Sequence, residues 1–312
     1  MWQSGGSRAA APLGLGNEDF RRFGPRNEQG DALVTIRDIL FHFDPDASGQ
    51  SAVDFACSLA LETGARLTAG GIVIEYPPPM VHPSIGMMGF SGLAGIEALT
   101  QAHREALERS YKDFMERAPP NLEVELAVIH DYRATACHTF ARLARYFDLS
   151  VVGQGGPGEG RLDELVTSAT LFGSGRPAFV VPFIHKGAAK LERAIICWDG
   201  GMQAAKALFA SLPLLAYAKF VEVVRIGATR QDDAMPEMNI IDHLARHGIA
   251  ATMNELPASD HIGEAILSHA ADIGADYIVM GGYGHWRFTE IVLGGTTREI
   301  LTSMTVPVFM AH

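Results

Sequence analysis

The sequence predicts an α/β protein built from two doubly wound domains in tandem. Three observations predict this fold: one pattern is written twice along the 312 residues, short apolar runs alternate with helix-length amphipathic segments, and in each copy an apolar run ends in glycine (LSVVG at 149–153 and YIVMG at 277–281). Such alternation is typical of βαβ units, whose parallel strands are buried under helices. Helices on both faces of each sheet give the doubly wound arrangement.

Internal repetition is the clearest feature of the chain. One copy begins near Val34 and the other near Leu191. Each has a short apolar run, an aspartate, small polar residues, an amphipathic segment and a second apolar run, and Asp44 and Asp199 occupy the same place in the two copies. The length of the chain also fits two domains.

Helices are predicted from apolar residues spaced at i, i+3, i+4 and i+7. In the second copy these residues are Ala205, Leu208, Phe209 and Leu212. This spacing forms one apolar face of a helix with 3.6 residues per turn.

The domain boundaries follow from changes in composition. Residues 1–32 are rich in Gly, Ala, Pro, Arg and Asn, and we interpret them as a flexible N-terminal extension. The polar linker HKGAAK at 185–190 separates a first domain, 33–185, from a second, 190–312. An insertion at 76–95 has three consecutive prolines, so we expect no regular structure there. It is either a mobile flap over a pocket or a plain surface loop.

Composition excludes several classes of protein. The net charge of −11 argues against a nucleic-acid binder, because affinity for duplexes comes mainly from Lys and Arg. Three widely spaced cysteines predict neither a disulfide framework nor a structural zinc site. No apolar run is long enough to span a membrane, and the N-terminus lacks the apolar core of a secretory signal. We therefore expect a cytoplasmic protein.

The candidate site is the segment MGGYGHWRFTEIVLGGTTREIL, which begins at Met280. Gly281 and Gly284 follow a strand, and Gly294 comes after nine further residues. Thr296-x-x-Glu299 matches a capping box, which predicts that a helix begins at Thr297.

These features together suggest a backbone site for an anion. Glycine lets the main chain approach a ligand closely, and a helix N-terminus offers unpaired N–H groups with about half a positive charge. We call the backbone N–H groups between Gly281 and Thr296 the anion cradle. Two alternatives stay open, because glycines are also common turn residues and a capping box by itself only caps a helix.

At this point the residues resemble a known family. Gly281-x2-Gly284-x9-Gly294 resembles the G-2x-G-9x-G-[S/T] nucleotide loop of the universal stress protein (UspA-like) family. The opening IICWDG at 195–200 and the final VPV at 306–308 are similar to that family as well. The resemblance extends from about Val34 to the end. It implies two tandem Rossmann-like domains, each with a mainly parallel five-stranded sheet, and a pairing of the two domains through their last strands.

The resemblance also implies a set of nucleotide-binding residues. Asp199 would lie near the ribose and phosphates, Ile226 would line the adenine pocket, and Met280 and Gly281 would flank base and ribose. The phosphates would be held by backbone N–H groups of Gly284, Gly294 and the residues after them, which are Gly295 and Thr296. His285 and Arg287 lie within reach of a phosphate in this scheme or, alternatively, on a solvated loop.

Two departures from the family pattern bear on the site. The usual Ser/Thr after the last glycine is Gly295 here, with a hydroxyl one position later at Thr296. The lost hydrogen bond is worth about tenfold in affinity. In the first copy the second glycine is missing, since Val166 stands ten residues after Gly156. Asp163 and Glu164 add negative charge, so we expect that copy to bind nucleotide poorly.

The leading hypothesis is a stress-response protein that binds ATP or a related adenine nucleotide, with Mg²⁺, in its second domain. It would act by conformational or interaction change without rapid turnover. The alternatives are a structural or interaction module that binds no nucleotide, and a slow ATPase or autokinase. The expected partners are the nucleotide, the other domain of the same chain and a second chain in a homodimer.

Overall fold

A computed structural model of the protein describes the backbone of residues 35–44, 49–76, 88–155, 161–227, 239–282, 284–287 and 290–312. Side chains are described over the same ranges except at 88–94, 284–287 and 290–293. The expected N-terminal extension, 1–32, lies outside these ranges.

The first half of the sheet comprises β1 to β5 with helices α1 to α4. The strands are β1 (Asp38–Phe43), β2 (Arg66–Glu75), β3 (Val124–Tyr132), β4 (Leu149–Gly153) and β5 (Ala178–Val181). The helices are α1 (Gln50–Thr63), α2 (Met88–Arg117), α3 (Arg133–Ala144) and α4 (Leu162–Gly173).

The second half repeats this order and adds a hairpin. Its sheet strands are β6 (Arg193–Cys197), β7 (Phe220–Ile226), β8 (Ala251–Leu256), β9 (Tyr277–Gly281) and β12 (Val308–Ala311), and the hairpin strands are β10 (Gly284–Arg287) and β11 (Glu290–Leu293). The helices are α5 (Met202–Leu215), α6 (Ile240–Arg246), α7 (Ile262–Ile273) and α8 (Gly295–Ser303).

In the described part of the chain, the ten strands outside the hairpin belong to one sheet. Its order is β3-β2-β1-β4-β5-β12-β9-β6-β7-β8, so the second half repeats the first in reverse. Neighbouring strands are parallel except at the central seam, where β5 and β12 pair antiparallel with Phe179 opposite Phe309. The prediction of an α/β fold with a mainly parallel sheet is confirmed, with five strands in each half.

Two apolar layers cover the faces of this sheet. Strand residues alternate between them, as Phe41 packs in one layer and Leu40 in the other. Phe55 of α1 and Leu208 of α5 lie in the first layer, and the second holds buried residues of α3, α4, α7 and α8. Within the described residues, no helix combines the length and the apolar character required to cross a bilayer.

The α5 helix was predicted correctly, but its buried face was not. Leu208 is buried as expected, whereas Phe209 is 69% exposed. The buried stripe runs instead through Ala204, Ala207 and Leu208. Small side chains on this stripe let the helix lie close to the sheet. The packing gained by this close approach outweighs the free energy that burying the Phe209 ring would contribute.

The expectation of no regular structure at 76–95 was wrong for its last part. Helix α2 begins at Met88 and continues for 30 residues. The prolines of the insertion all precede Met88, so nothing in the later residues interrupts a helix. Residues 77–87 lie outside the described ranges.

Candidate functional site

The candidate site lies at the carboxyl edge of the second half. In parallel sheets, ligands bind at this edge. Asp199 follows β6 by two residues, Ile226 is the last residue of β7, and Gly281 is the last residue of β9. Since these three strands run parallel in the order β9-β6-β7, their ends lie along one edge.

Asp199 is exposed and shapes the turn that leads into α5. Its Oδ1 accepts a hydrogen bond from the Gly201 amide at 2.8 Å. Gly200 between them has φ +78°, a conformation that favours glycine. The turn thereby fixes a carboxylate at the end of the strand.

Ile226 and Met280 are tied to the core to different degrees. Met280 is 3% exposed and packs in the same layer as Ile300 and Met310. Ile226 is only partly buried against that layer. Of these two predicted residues, Ile226 has the side chain that is partly accessible at the edge.

Gly281 is required by packing within the protein. A Cβ atom added there would lie 2.6 Å from the carbonyl carbon of Gln203 and 2.7 Å from the nitrogen of Ala204. Both atoms belong to the backbone of α5, which cannot move aside easily. The close approach that the sequence suggested for a ligand is therefore made by helix α5.

The next residue, Gly282, is held by the end of the chain. Its amide donates to the Ala311 carbonyl at 2.9 Å, and its own carbonyl lies 2.7 Å from Nδ1 of His312, which must be the donor. The Phe172 ring of α4 packs edge-on against His312 with centroids 5.0 Å apart. The Gly282 amide is thus engaged, and donors for an anion must come later in the loop.

A β-hairpin, which was not predicted from the sequence, explains the nine-residue spacing between Gly284 and Gly294. Strands β10 and β11 pair antiparallel with Gly284 opposite Leu293. Paired residues of such strands lie about 5 Å apart, so Gly284 and Gly294 come together at the base of the hairpin. His285 and Arg287 belong to β10, and their side chains lie outside the described part. The available signal in the sequence was two short runs, HWR at 285–287 and EIVL at 290–293, separated by two residues, which is a spacing typical of a β-hairpin.

Helix α8 begins earlier than the capping box predicted. Its N-cap is Gly294, in an extended conformation with no side-chain cap, and Gly295 is its first residue. The prediction of a start at Thr297 was wrong because Glu299 has another partner: its carboxylate accepts from the Gly263 amide of α7 at 3.0 Å.

The first turn of α8 carries no acidic residue. Within the residues that the structure describes, the amides of Gly295 and Thr296 donate to no carbonyl or side chain. A Cβ atom at Gly295 would meet nothing within 4 Å. Among the described residues nothing therefore fills the start of α8, and its amides and dipole suit an anion.

The segment that builds this site matches a known family model. Residues 244–312, which include both hairpin strands and α8, match the model of the universal stress protein family. Over this segment the chain is similar to the universal stress protein family.

Known proteins are similar to this chain in sequence and in fold. Universal stress protein Slr1230 of Synechocystis sp. is 27% identical over 143 residues, which is 43% of this chain and 46% of that protein, less than half its length. A universal stress protein from Archaeoglobus fulgidus superposes with a TM-score of 0.60 at 13% identity, covering 88% of this chain and 97% of that chain. The functionally unknown protein PA1789 of Pseudomonas aeruginosa gives 0.52 at 13%, covering 88% and 92%. At these identities the structures show a shared fold.

The first half of the chain has a different helix start at the equivalent edge. Helix α4 begins at Leu162, nine residues after Gly153. Val166 therefore lies inside the helix, fully buried, and the comparison of Val166 with the second motif glycine was wrong because this loop is shorter. Gly156 lies outside the described residues.

An acidic side chain occupies the start of α4. The Asp163 carboxylate accepts from the Glu164 amide at 3.0 Å and from Nε of Arg161 at 3.2 Å. Glu164 adds a second negative charge in the same turn. The positive end of this helix is thus satisfied from within, as the two acids suggested. Across the described residues, no group of three His, Cys, Asp or Glu side chains is placed to hold a metal ion.

Proposed function

We propose that this protein is a UspA-like universal stress protein that binds an adenine nucleotide, ATP in the first instance, at the carboxyl edge of its second half. Its output is a change in conformation or interactions, in a stress response in the cytoplasm. Residues 33–185 and 190–312 act as two domains paired through β5 and β12, and two chains form a homodimer.

The contrast between α4 and α8 carries the proposal. Both helices follow a glycine-ended strand next to the seam, yet α4 holds Asp163 and Glu164 in its first turn and α8 holds no acid there. A helix N-terminus without an acidic side chain favours a bound anion. The phosphates of a nucleotide supply that anion, and the hairpin brings Gly284 beside Gly294 to meet them.

The other predicted residues complete the nucleotide site in this proposal. Asp199, fixed at the end of β6, accepts from the ribose hydroxyls or helps to hold Mg²⁺ that arrives with the phosphates. The partly exposed Ile226 lines the base. His285 and Arg287 of β10 supply further hydrogen-bond donors to the phosphates, and the arginine adds a positive charge.

A matched pair of variants tests the site. Titration calorimetry with ATP and Mg²⁺ should show binding to the wild type. Thr296→Asp places a carboxylate in the first turn of α8, as α4 has, and should weaken binding about tenfold or more through repulsion of the phosphates. Thr296→Asn, of the same size but neutral, should bind within about twofold of the wild type. No heat from folded wild type overturns the proposal, and equal binding by Thr296→Asp removes α8 from the site.

A second function is favoured by a specific observation. Gly295 lacks the hydroxyl of the family loop, and the Gly282 amide is already bonded to Ala311. Both reduce the number of donors for a phosphate, which favours an interaction module that binds no nucleotide. Equal melting temperatures with and without saturating ATP, ADP and AMP would support this second function.

A further inference from the structure

Gln154 reaches from the first half of the sheet to the C-terminus of α8. Its Nε2 donates to the carbonyl of Leu301 at 2.9 Å and to that of Thr302 at 3.1 Å. Gln154 is 7% exposed. Its Oε1 accepts from the Phe183 amide at 3.4 Å, and its own amide donates to Val181 at 2.7 Å.

These contacts matter because of where α8 lies. A helix leaves its last four carbonyls without partners of its own, and Gln154 satisfies two of them in α8. At nine residues, α8 is too short to be stable by itself. The other end of the same helix forms the anion cradle, so a residue that holds the C-terminus also holds the cradle in place.

A reciprocal contact ties the other end of the loop to the first half. Gly282 takes the same place in the second half as Gln154 in the first, directly after a strand that ends in glycine. The backbone amide of each donates to the last sheet strand of its own half, at Ala311 and at Val181. A Cβ atom at Gly282 would lie 3.5 Å from the Phe172 ring of α4. The loop that bears the cradle therefore begins, at Gly282, against the first half. Helix α8, which follows the loop, also ends against the first half, at Gln154.

We propose that Gln154 is a positioning residue for the anion cradle, so that the nucleotide site of the second half is completed by the first half. This inference rests on the proposed function for its ligand. It also gives the first half, whose own helix start is filled by Asp163, a role in binding at the second.

The direct test removes the two hydrogen bonds and keeps the size of the side chain. Gln154→Leu should weaken ATP binding about threefold to tenfold, because α8 then spends only part of the time in its binding conformation. The control is Thr170→Val, which also removes a buried hydrogen bond of the first half, from Thr170 Oγ1 to Val166 at 2.7 Å inside α4. At a similar loss of melting temperature, the control should keep wild-type affinity.

A variant of the same shape separates positioning from packing. In Gln154→Glu the side chain can donate to the carbonyls only when its carboxyl group is protonated. Burial beside two carbonyl oxygens disfavours the carboxylate and raises the pKa of the introduced carboxyl group, so the ATP affinity of this variant relative to wild type should rise as pH falls from 8 toward 5. A purely structural role for the volume of this side chain predicts a constant ratio.

Hydrogen exchange of the free protein supplies a readout that needs no nucleotide. The amides of α8 should exchange about tenfold faster in Gln154→Leu, with those of α3 unchanged. If the wild type binds no ATP but α8 exchanges faster in Gln154→Leu, only the proposed function is overturned. Wild type that binds ATP, with Gln154→Leu binding equally well, would overturn the role of Gln154.

Discussion

The Glu299 carboxylate of α8 accepts a hydrogen bond from the Gly263 amide, near the N-terminus of α7, at 3.0 Å. Nδ1 of His261, the N-cap residue of α7, lies 3.9 Å from the same carboxylate. A Cβ atom at Gly263 would lie 2.7 Å from that of Glu299. The acid that would have capped its own helix therefore caps a neighbour, and the two helices are joined at the candidate edge.

Removing this cap should destabilise the second half. We expect Glu299→Ala to lower the free energy of unfolding by about 1 kcal/mol, because an amide of the α7 N-terminus loses its acceptor. Glu299→Gln keeps an acceptor oxygen without the charge and should lose less. Urea denaturation measures both, and an unchanged midpoint for Glu299→Ala would contradict the assignment of this cap.

Two glycines of the loop should respond in opposite ways to alanine. Gly281→Ala should cost about 1–3 kcal/mol, because its Cβ atom would overlap the backbone of α5. Gly295→Ala, where a Cβ atom has open space, should stabilise by about 0.5–1 kcal/mol through lower entropy of the unfolded chain. Thermal unfolding compares the two variants, and similar melting temperatures would show that Gly281 is not fixed by packing.

Restoring the hydroxyl of the family loop should tighten nucleotide binding. Gly295→Ser fits without a clash and adds one donor to the phosphates, which is worth about 0.5–1.5 kcal/mol, or up to tenfold in affinity. Gly295→Ala is the control for the change in helix stability. Calorimetric titration should rank serine above both alanine and glycine. If serine and alanine bind alike, the hydroxyl does not reach the ligand.

His42 should make stability depend on pH. Burial lowers the pKa of His42 to about 4, although Asp163 acts in the opposite direction. Below pH 6.5 the unfolded chain takes up a proton that the folded protein excludes, so the free energy of unfolding falls as pH falls toward 4, by at most about 1.4 kcal/mol per pH unit.

The matched variant for this effect is His42→Leu, which cannot bind the proton. The difference in unfolding free energy between the two proteins should change by about 3 kcal/mol between pH 7 and pH 4 and then level off. Urea denaturation at a series of pH values measures it. Parallel curves would mean that His42 is protonated as easily when folded as when unfolded.

The fold was predictable because its signals are local and repeated. The two copies, the strand-ending glycines and the spacing around Leu208 each indicate an element through its own neighbours in sequence. The buried face of α5 was harder to predict, because whether Ala204 or Phe209 faces the sheet depends on how closely β9 approaches the helix. That distance is set by Gly281, which lies 77 residues away from Ala204 in the sequence.

The candidate site was predictable in outline only. The motif located the loop, but Gly281 and Glu299 both have partners from other elements, at Gln203 and Gly263. The role of Gln154 was not visible, since its two acceptors lie 147 and 148 residues further along the chain. Such long-range contacts leave no local pattern in a single sequence.

The antiparallel seam has a consequence for any attempt to divide the chain. Cutting the linker and expressing one half would leave β5 or β12 as an open border of four buried apolar residues. Uncovered strand borders of this kind recruit other strands. An isolated second half should therefore self-associate through Val308–Ala311. The strand pairing that joins two different halves in the intact chain would then join two identical ones.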